Sequence, residues 1–249
     1  MATTEPGGSH RSTGPRTGTQ AGRPTRRRVV IAAVVVLAVL AVVLGGPWVY
    51  ARLLAPEPPS ALGLSSTARP SSGDTAAGTV EDGPWEVTAG SEAGYRLDEV
   101  LSGQPVTVVG RTDQVAGSLL VEDGVLVSAE VVVDVASIAT DEPARDGFFR
   151  RALRVTEVPE ARFTLTEPVD LAPLSSSGSL EVIAVGTLAL HDVTRPVTVS
   201  LEVRRTDDGV EVAGQVPVVL TDHGLTAPDL GFVKVEPEGV VEMLLVLSR

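Results

Sequence analysis

The chain has 249 residues, 32 acidic against 20 basic side chains, a formal net charge of −12 and no cysteine. The missing thiols exclude disulfide bridges, a cysteine nucleophile and acylation at a lipobox cysteine. The acidic excess argues against nucleic acid as a partner, because a negative surface repels the phosphate backbone.

Residues 1–28 form a basic stretch with almost nothing apolar to bury. They contain six arginines and one acid among many Gly, Ser, Thr and Pro residues. A segment of this composition cannot offset the entropy of ordering. The sequence therefore predicts a disordered tail, which the next segment places in the cytoplasm.

Residues 29–51 contain no charged side chain. At 1.5 Å per residue, a helix of this length reaches about 34 Å, which exceeds the hydrocarbon thickness of about 30 Å. Three arginines at 26–28 precede it, one follows at Arg52, and Trp48 and Tyr50 suit the interface. The positive-inside rule then predicts a single-pass anchor in the cell membrane, with the N-terminus cytoplasmic and the rest extracytoplasmic. A cleaved signal peptide is the alternative, and the length of the run favours the anchor.

Residues 52–80 are rich in Pro, Ser, Ala and Gly and lack apolar periodicity. Such a linker is flexible, with an end-to-end distance of about 30 Å. The remaining segment, 81–249, is predicted to be the folded domain. Its 29 acidic and 12 basic residues give it a net charge of about −17.

The folded domain has the alternating pattern of β-strands. From 125 to 135, odd positions are apolar or small, and an Asp-Gly turn at 123–124 joins this run to the one before it. Further turns are predicted at 207–209 and 236–239. About nine strand candidates result: 85–88, 106–109, 115–121, 125–135, 162–166, 182–190, 197–205, 210–220 and 240–247. Short antiparallel hairpins at regular spacing predict an all-β sandwich or closed barrel.

One segment, 140–153, interrupts the β pattern. Asp141 could cap a helix that Pro143 opens in its first turn. We therefore expect a short helix between two strands. Arg145 and Asp146 lie in it, and an adjacent pair of opposite charges at a helix end is expected to hold a loop rather than to catalyse.

The most specific pattern is the hairpin 186–203, GTLALHDVTRPVTVSLEV. Together with Ser137-Ile138, Arg145-Asp146 and the P-x-x-x-F spacing from Pro159 to Phe163, it resembles the YceI-like family over residues 85–247. The chain is similar to a membrane-anchored, actinobacterial-type member. The resemblance implies an eight-stranded antiparallel lipocalin-like barrel with a short helix and an apolar cavity for a polyisoprenoid or isoprenoid-quinone lipid.

The inward strand positions and the helix supply candidate cavity residues. Apolar strand faces more often fill a solid core, so that alternative stays open beside the lipid cavity. The candidates are Val133, Val135, Phe148, Phe149, Phe163, Leu188, Leu190, Val197, Val199 and Leu201.

The leading functional prediction is extracytoplasmic binding or transport of an isoprenoid lipid, without enzymatic activity or cofactor. A structural or interaction module of the envelope is the alternative, and apolar residues on outer faces, Val219, Leu244 and Val246, would suit a homodimer. A metal-dependent enzyme is the third possibility. Two histidine–carboxylate pairs, 191–192 and 222–223, lie in predicted turns, where such side chains are more often solvated.

Overall fold

The computed structural model describes Val34, residues 57–64, 80–174 and 178–249. The chain divides into Met1–Gly46 and Pro47–Arg249, and everything below concerns the second unit. The predicted tail 1–28 and all of the predicted anchor 29–51 except Val34 lie outside the described residues. Within the described part, no helix is both long and apolar enough to span a bilayer.

The described part of the domain consists of strands, one ten-residue α-helix and two short 3-10 helices. The α-helix is α1, Pro143–Ala152, and the 3-10 helices are Val135–Ser137 and Leu220–His223. The strands are β1 (Gly83–Val87), β2 (Glu92–Leu101), β3 (Gln104–Thr112), β4 (Val115–Glu122), β5 (Val125–Asp134), β6 (Glu160–Leu165), β7 (Val169–Asp170), β8 (Ser179–Leu190), β9 (Val193–Thr206), β10 (Gly209–Val219) and β11 (Val233–Ser248).

The strands close into an antiparallel barrel. Hydrogen-bonded neighbours follow the order β1-β4-β5-β6-β8-β9-β10-β11, and β11 pairs again with β1. The closing register places Val87 opposite Leu247. Because the ring returns to its first strand, its eight members leave no open edge between β1 and β11.

Two further strands continue members of the ring. β1 and β2 both pair with β11, one after the other along its length. On their other side, β1 pairs with β4 and β2 pairs with β3. The short β7 pairs with one end of β5. The barrel therefore has eight strands in cross-section, which confirms the predicted eight-stranded antiparallel fold with a short helix.

Two of the predicted hairpin turns are present where the backbone needs positive φ. Asp123 and Gly124 have φ of 52° and 75° between β4 and β5. His191 and Asp192 have φ of 49° and 60° in the two-residue turn between β8 and β9. Positive φ at both central residues matches the right-handed twist of the flanking strands. The hairpin at 186–203 is thus two long strands joined by a tight polar turn.

Two local predictions are wrong. Residues 236–239 do not form a turn, since β11 continues through them and shifts its pairing with β2 between Val235 and Gly239. This β-bulge accommodates the proline and glycine that the sequence pattern assigned to a turn. The α1 cap is Glu142, whose side chain accepts from the Ala144 N–H, whereas Asp141 pairs with Arg145 at 2.7 Å.

The described part of the predicted linker touches the barrel. Residues 57–64 lie across the outer wall, and Leu62 is 8% exposed. Val80, the last residue of the predicted linker, is buried in the barrel interior. The remaining linker residues lie outside the described part, and the predicted domain boundaries stay a prediction.

Candidate functional site

The interior of the barrel holds an apolar cluster, called here the barrel cluster. Alternation sends one face of each strand inward, and buried residues from the ring strands meet loop residues there. Its buried members include Trp85, Val121, Leu126, Val131, Leu171, Leu174, Ala184, Leu188, Val199, Val203, Val212, Leu245 and Leu247. This cluster is the main core of the domain.

A cavity of about 60 Å³ lies within the barrel cluster. Twenty residues line it, and every one is apolar. Trp85, Leu126 and Val210 belong to the end of the barrel where β1 begins, and Phe163 and Met243 lie deeper. Since a water molecule needs roughly 10–15 Å³ by this measure and also needs polar partners, this space is suited to apolar atoms.

Large side chains fill the middle of the barrel opposite glycines. A Cβ added to Gly186 would come within 2.5 Å of the Phe163 ring, and one added to Gly214 within 2.5 Å of Leu201 and 2.9 Å of Met243. The glycines therefore let the Phe163, Leu201 and Met243 side chains turn into the barrel. The size of the cavity is set by how these side chains are placed.

The structure divides the predicted cavity residues into groups. Phe163 and Leu201 line the cavity, and Leu188 and Val199 are buried in the same cluster without lining it. Leu190 and Val197 are half-buried and pack against that cluster. Val135 and Phe149 lie elsewhere, in a second apolar cluster to which α1 contributes Phe149. The two that join neither apolar cluster are Val133, which is half-buried, and Phe148, which is 40% exposed on α1.

Most of the residues that line the cavity were not among those candidates. Val131, Val203 and Val212 continue the inward alternation of their strands, so extending the pattern would have found them. Val80 and Leu171 come from segments outside the strands. No periodic signal marks such loop residues, and only the fold brings them over the barrel end.

The opposite end of the barrel is filled by a second cluster, the helix-end cluster. Its buried residues are Tyr95, Val108, Val135, Ile138, Leu153 and Val155, and Phe149 packs against them. The Tyr95 and Phe149 rings stack with centroids 4.5 Å apart. Burial raises the pKa of the Tyr95 hydroxyl above its usual range, and the nearby Arg145 charge partly opposes that shift.

Hydrogen bonds fix the loop before α1. The buried Asp146 carboxylate accepts from the Thr140 backbone N–H at 2.9 Å and from the Thr140 hydroxyl at 2.8 Å. Arg145 reaches Glu99 at 3.4 Å and Asp141 at 2.7 Å. Asp146 thus holds the loop before α1, and Arg145 links the helix to β2 of the barrel through Glu99.

The two turn histidines meet at the helix end. The Nδ1 atom of His191 lies 3.2 Å from the backbone oxygen of His223. Burial lowers the pKa of His223 below its ordinary value, so the neutral imidazole is favoured. Among the described residues, no three or more His, Asp or Glu side chains form a group that could hold a metal ion.

The outer-face residues considered for a homodimer differ in exposure. Val219 is exposed at the end of β10, whereas Leu244 and Val246 on β11 are half-buried. A homodimer through these residues stays a prediction.

Comparison with known proteins gives a family and a fold. The model of the YceI-like domain matches residues 85–247. A search of curated proteins found no match. A solved polyisoprenoid binding domain from Saccharophagus degradans is 21% identical and has a TM-score of 0.54, covering 66% of this chain and 97% of its own.

Two other solved structures are more distant. BcnA from Burkholderia cenocepacia is 15% identical with a TM-score of 0.48, over 62% of this chain and 96% of BcnA. A YceI protein from Campylobacter jejuni is 14% identical with a TM-score of 0.39, over 56% of this chain and 82% of its own. At these identities the structural likeness concerns the fold.

Proposed function

The chain belongs to the YceI-like domain family, and from that premise we propose that its barrel binds an isoprenoid lipid, either a polyisoprenoid or an isoprenoid quinone. The observation that carries the proposal is the cavity inside a closed barrel, lined by apolar side chains alone. The similar domain from Saccharophagus degradans is described as polyisoprenoid binding, which supports this choice of ligand.

The driving force for binding is burial of the lipid chain. Each CH2 removed from water contributes about 0.8 kcal/mol, so every isoprene unit covered by the barrel stabilises the complex by several kcal/mol. The lining offers no polar side chain that would have to be desolvated without a partner. The same lining supplies no acid, base or nucleophile, which favours a binding protein over an enzyme.

Lipid entry requires the interior to widen. A cavity of about 60 Å³ is far below the roughly 300–1,000 Å³ of ordinary ligand pockets. The Phe163 ring and the flexible Met243 side chain border this space, and Met changes rotamer readily. In the proposed complex these two side chains swing aside and the lipid chain takes their place.

Location follows from the sequence upstream of the barrel. The uncharged run 29–51 is long enough to anchor the chain in the cell membrane, with the barrel on the extracytoplasmic side. There the barrel would hold, or pass on, a lipid that cannot cross water alone. This part of the proposal rests on residues outside the described structure.

The test places the same substitution on opposite faces of β8. Ala184 is 1% exposed and lines the cavity, whereas Ala189 is half-buried and its side chain points outward. The full chain, purified in detergent, is mixed with a polyprenol and with a quinone and weighed by native mass spectrometry. We expect Ala184→Leu to reduce lipid occupancy at least tenfold and Ala189→Leu to leave it unchanged.

A solid-core structural module is the second candidate, and the small volume of the cavity favours it. If the barrel only packs, the native protein takes up no lipid and Ala184→Leu costs about 1–3 kcal/mol through overpacking. Wild-type protein that stays free of lipid at saturating polyprenol and quinone would establish this second function instead.

A further inference from the structure

The outer wall of the barrel contains a completely buried carboxylate. Glu242 lies on β11 between Val241 and Met243, which both pack against the barrel cluster, so its own side chain points outward. A side chain that points outward from a barrel is normally exposed to solvent, yet Glu242 is 0% exposed. Burying a carboxylate costs several kcal/mol unless it is paired and hydrogen-bonded.

Two arginines from neighbouring strands supply the pairing. Arg111 Nη2 and Nε lie 2.8 and 3.2 Å from Glu242 Oε1, and Arg96 Nε lies 3.7 Å from Oε2. The register explains the reach, because Gly94 stands opposite both Glu242 and Arg111. With no side chain at Gly94, the Arg111 guanidinium can cross β2 to the carboxylate.

The chain segment 59–62 covers this cluster and adds three hydrogen bonds to it. Arg96 Nη2 donates to the Pro59 backbone oxygen at 2.7 Å, and Arg111 Nη2 donates to the Ser60 backbone oxygen. The Leu62 N–H donates to Glu242 Oε2 at 3.2 Å. All three charged groups therefore bind main-chain atoms of the same short stretch.

The geometry is that of a built site for an extended peptide. Charge-assisted hydrogen bonds of this kind are about twice as strong as neutral ones. The neighbours of Leu62, Ala61 and Gly63, are exposed, whereas the Leu62 side chain is buried. One apolar side chain and three backbone groups thus provide the recognition.

We propose that Arg96, Arg111 and Glu242 form a peptide docking site on the barrel wall, occupied by residues 59–62 of this same chain. These residues, called here the strap, tie the linker to the barrel far ahead of the first strand. Docking at 59–62 leaves seven residues, 52–58, between the predicted anchor and the docked segment, whereas 29 residues, 52–80, separate the predicted anchor from the barrel domain in the sequence.

The strap can be released without touching the barrel, because the substitution falls on the strap. Leu62→Asp brings a charge into a buried position beside the Glu242 carboxylate, where like charges repel. Ala61→Asp adds the same charge at the adjacent exposed position and serves as the matched control. In the released state Glu242 and the arginines are hydrated and still paired, so the barrel stays folded.

Hydrogen exchange with mass spectrometry on the full chain in detergent measures docking. In wild type and in Ala61→Asp, we expect the backbone amide of Leu62, which donates to Glu242, to exchange at least tenfold more slowly than in an unstructured peptide of the same sequence. In Leu62→Asp the protection of the amide at position 62 is lost, while β8–β11 keep theirs. An unprotected Leu62 amide in wild type, or equal protection at position 62 in the two variants, would overturn the proposal.

A substitution in the barrel, rather than in the strap, provides a second test of the docking site. Glu242→Gln keeps the shape of the side chain but removes the charge that holds both arginines and the Leu62 N–H. We expect it to speed exchange of the Leu62 amide at least tenfold, and unchanged exchange of this amide would count against the site. The proposed lipid binds inside the barrel, whereas the strap lies on its outer wall. A protein that takes up no lipid can therefore still show slow amide exchange in the strap, and the two proposals can fail separately.

Discussion

The two ends of the barrel interior are both apolar but are packed differently. At the end where β1 begins, the lining is wholly apolar and leaves a cavity of about 60 Å³. At the helix end, the Tyr95 and Phe149 rings stack and Asp146 fastens the loop before α1. No residue that we assigned to the helix-end cluster lines the cavity.

This difference in packing indicates which end of the barrel could accommodate a ligand. Close packing with directional hydrogen bonds fixes one arrangement, because moving any part leaves polar groups unpaired. Side chains that meet a void without polar partners can change rotamer at small cost. The helix end is therefore the more firmly fixed part of the barrel, and the cavity end is where the proposed lipid chain would be accommodated.

The largest expected effect compares one leucine from each end. Leu153→Ala in the helix-end cluster should lower the free energy of unfolding by about 3–5 kcal/mol, because a new hole opens in a packed region. Leu245→Ala should cost only about 2 kcal/mol, since that side chain already borders the cavity. Urea denaturation of both variants measures this, and equal losses would remove the contrast between the two ends.

The next effect tests the fastening of the helix end. Asp146→Ala leaves the Thr140 N–H and hydroxyl without their acceptor, which should cost about 1–3 kcal/mol. Asp141→Ala removes an exposed ion pair with Arg145 and should cost less than about 1 kcal/mol. Urea midpoints of the two variants are compared with wild type. A loss at Asp146 no larger than at Asp141 would show that the buried carboxylate does not hold the loop.

A smaller effect concerns pH at the helix end. Burial lowers the pKa of folded His223, and the Arg195 charge acts in the same direction, while Asp222 and backbone hydrogen bonds with Val193 and Leu190 oppose it. The folded state then binds fewer protons than the unfolded chain, whose histidine pKa is about 6.5. This contribution to stability is complete above about pH 6.5 and is lost as the pH falls through the folded pKa.

Urea midpoints measured between pH 7.5 and pH 5 test the histidine. Wild type should lose stability over this interval, and His223→Gln should lose less. An identical pH dependence in the two proteins would assign the effect to other groups.

The smallest expected effect concerns a residue of α1 that lies outside the helix-end cluster. Phe148 is 40% exposed and belongs to neither cluster, so Phe148→Ala should change stability by less than about 0.5 kcal/mol. Lipid occupancy should also stay unchanged. A loss of occupancy in this variant would bring α1 into the binding site and contradict the separation of the two ends.

Much of the fold could be predicted from local patterns. The alternation from Ala129 to Val135 and the Asp-Gly turn before β5 gave one hairpin, and residues 186–203 gave another. β2 was missed because alanine, glycine and arginine at 93, 94 and 96 obscure its alternation. The bulge in β11 was predicted as a turn, since Pro237 and Gly239 are turn residues in most contexts.

Several of the predicted cavity residues lie on the inward face of the barrel, but at a different level from the cavity that the structure contains. Leu188 and Val199 do point into the barrel, yet the empty space lies beyond Phe163, toward the other end. Which level stays empty depends on how Phe163 and Met243 pack against Gly186 and Gly214, and these pairings are distant in sequence. Phe148 and Phe149 lie on different sides of α1, so that Phe148 is exposed and Phe149 packs against the helix-end cluster. A helix of ten residues is too short for its sequence periodicity to predict which of the two is buried.

The strand that closes the barrel has a consequence for how the protein is made. β11 pairs with β10, β2 and β1, and it follows all of them in the order of synthesis. The pairing of Val87 in β1 with Leu247 in β11 can form only after a further 160 residues have been synthesised. Until β11 arrives, β1 and β10 present unpaired edges that could join other chains. Protection of these edges during synthesis is therefore part of what this fold demands of the cell.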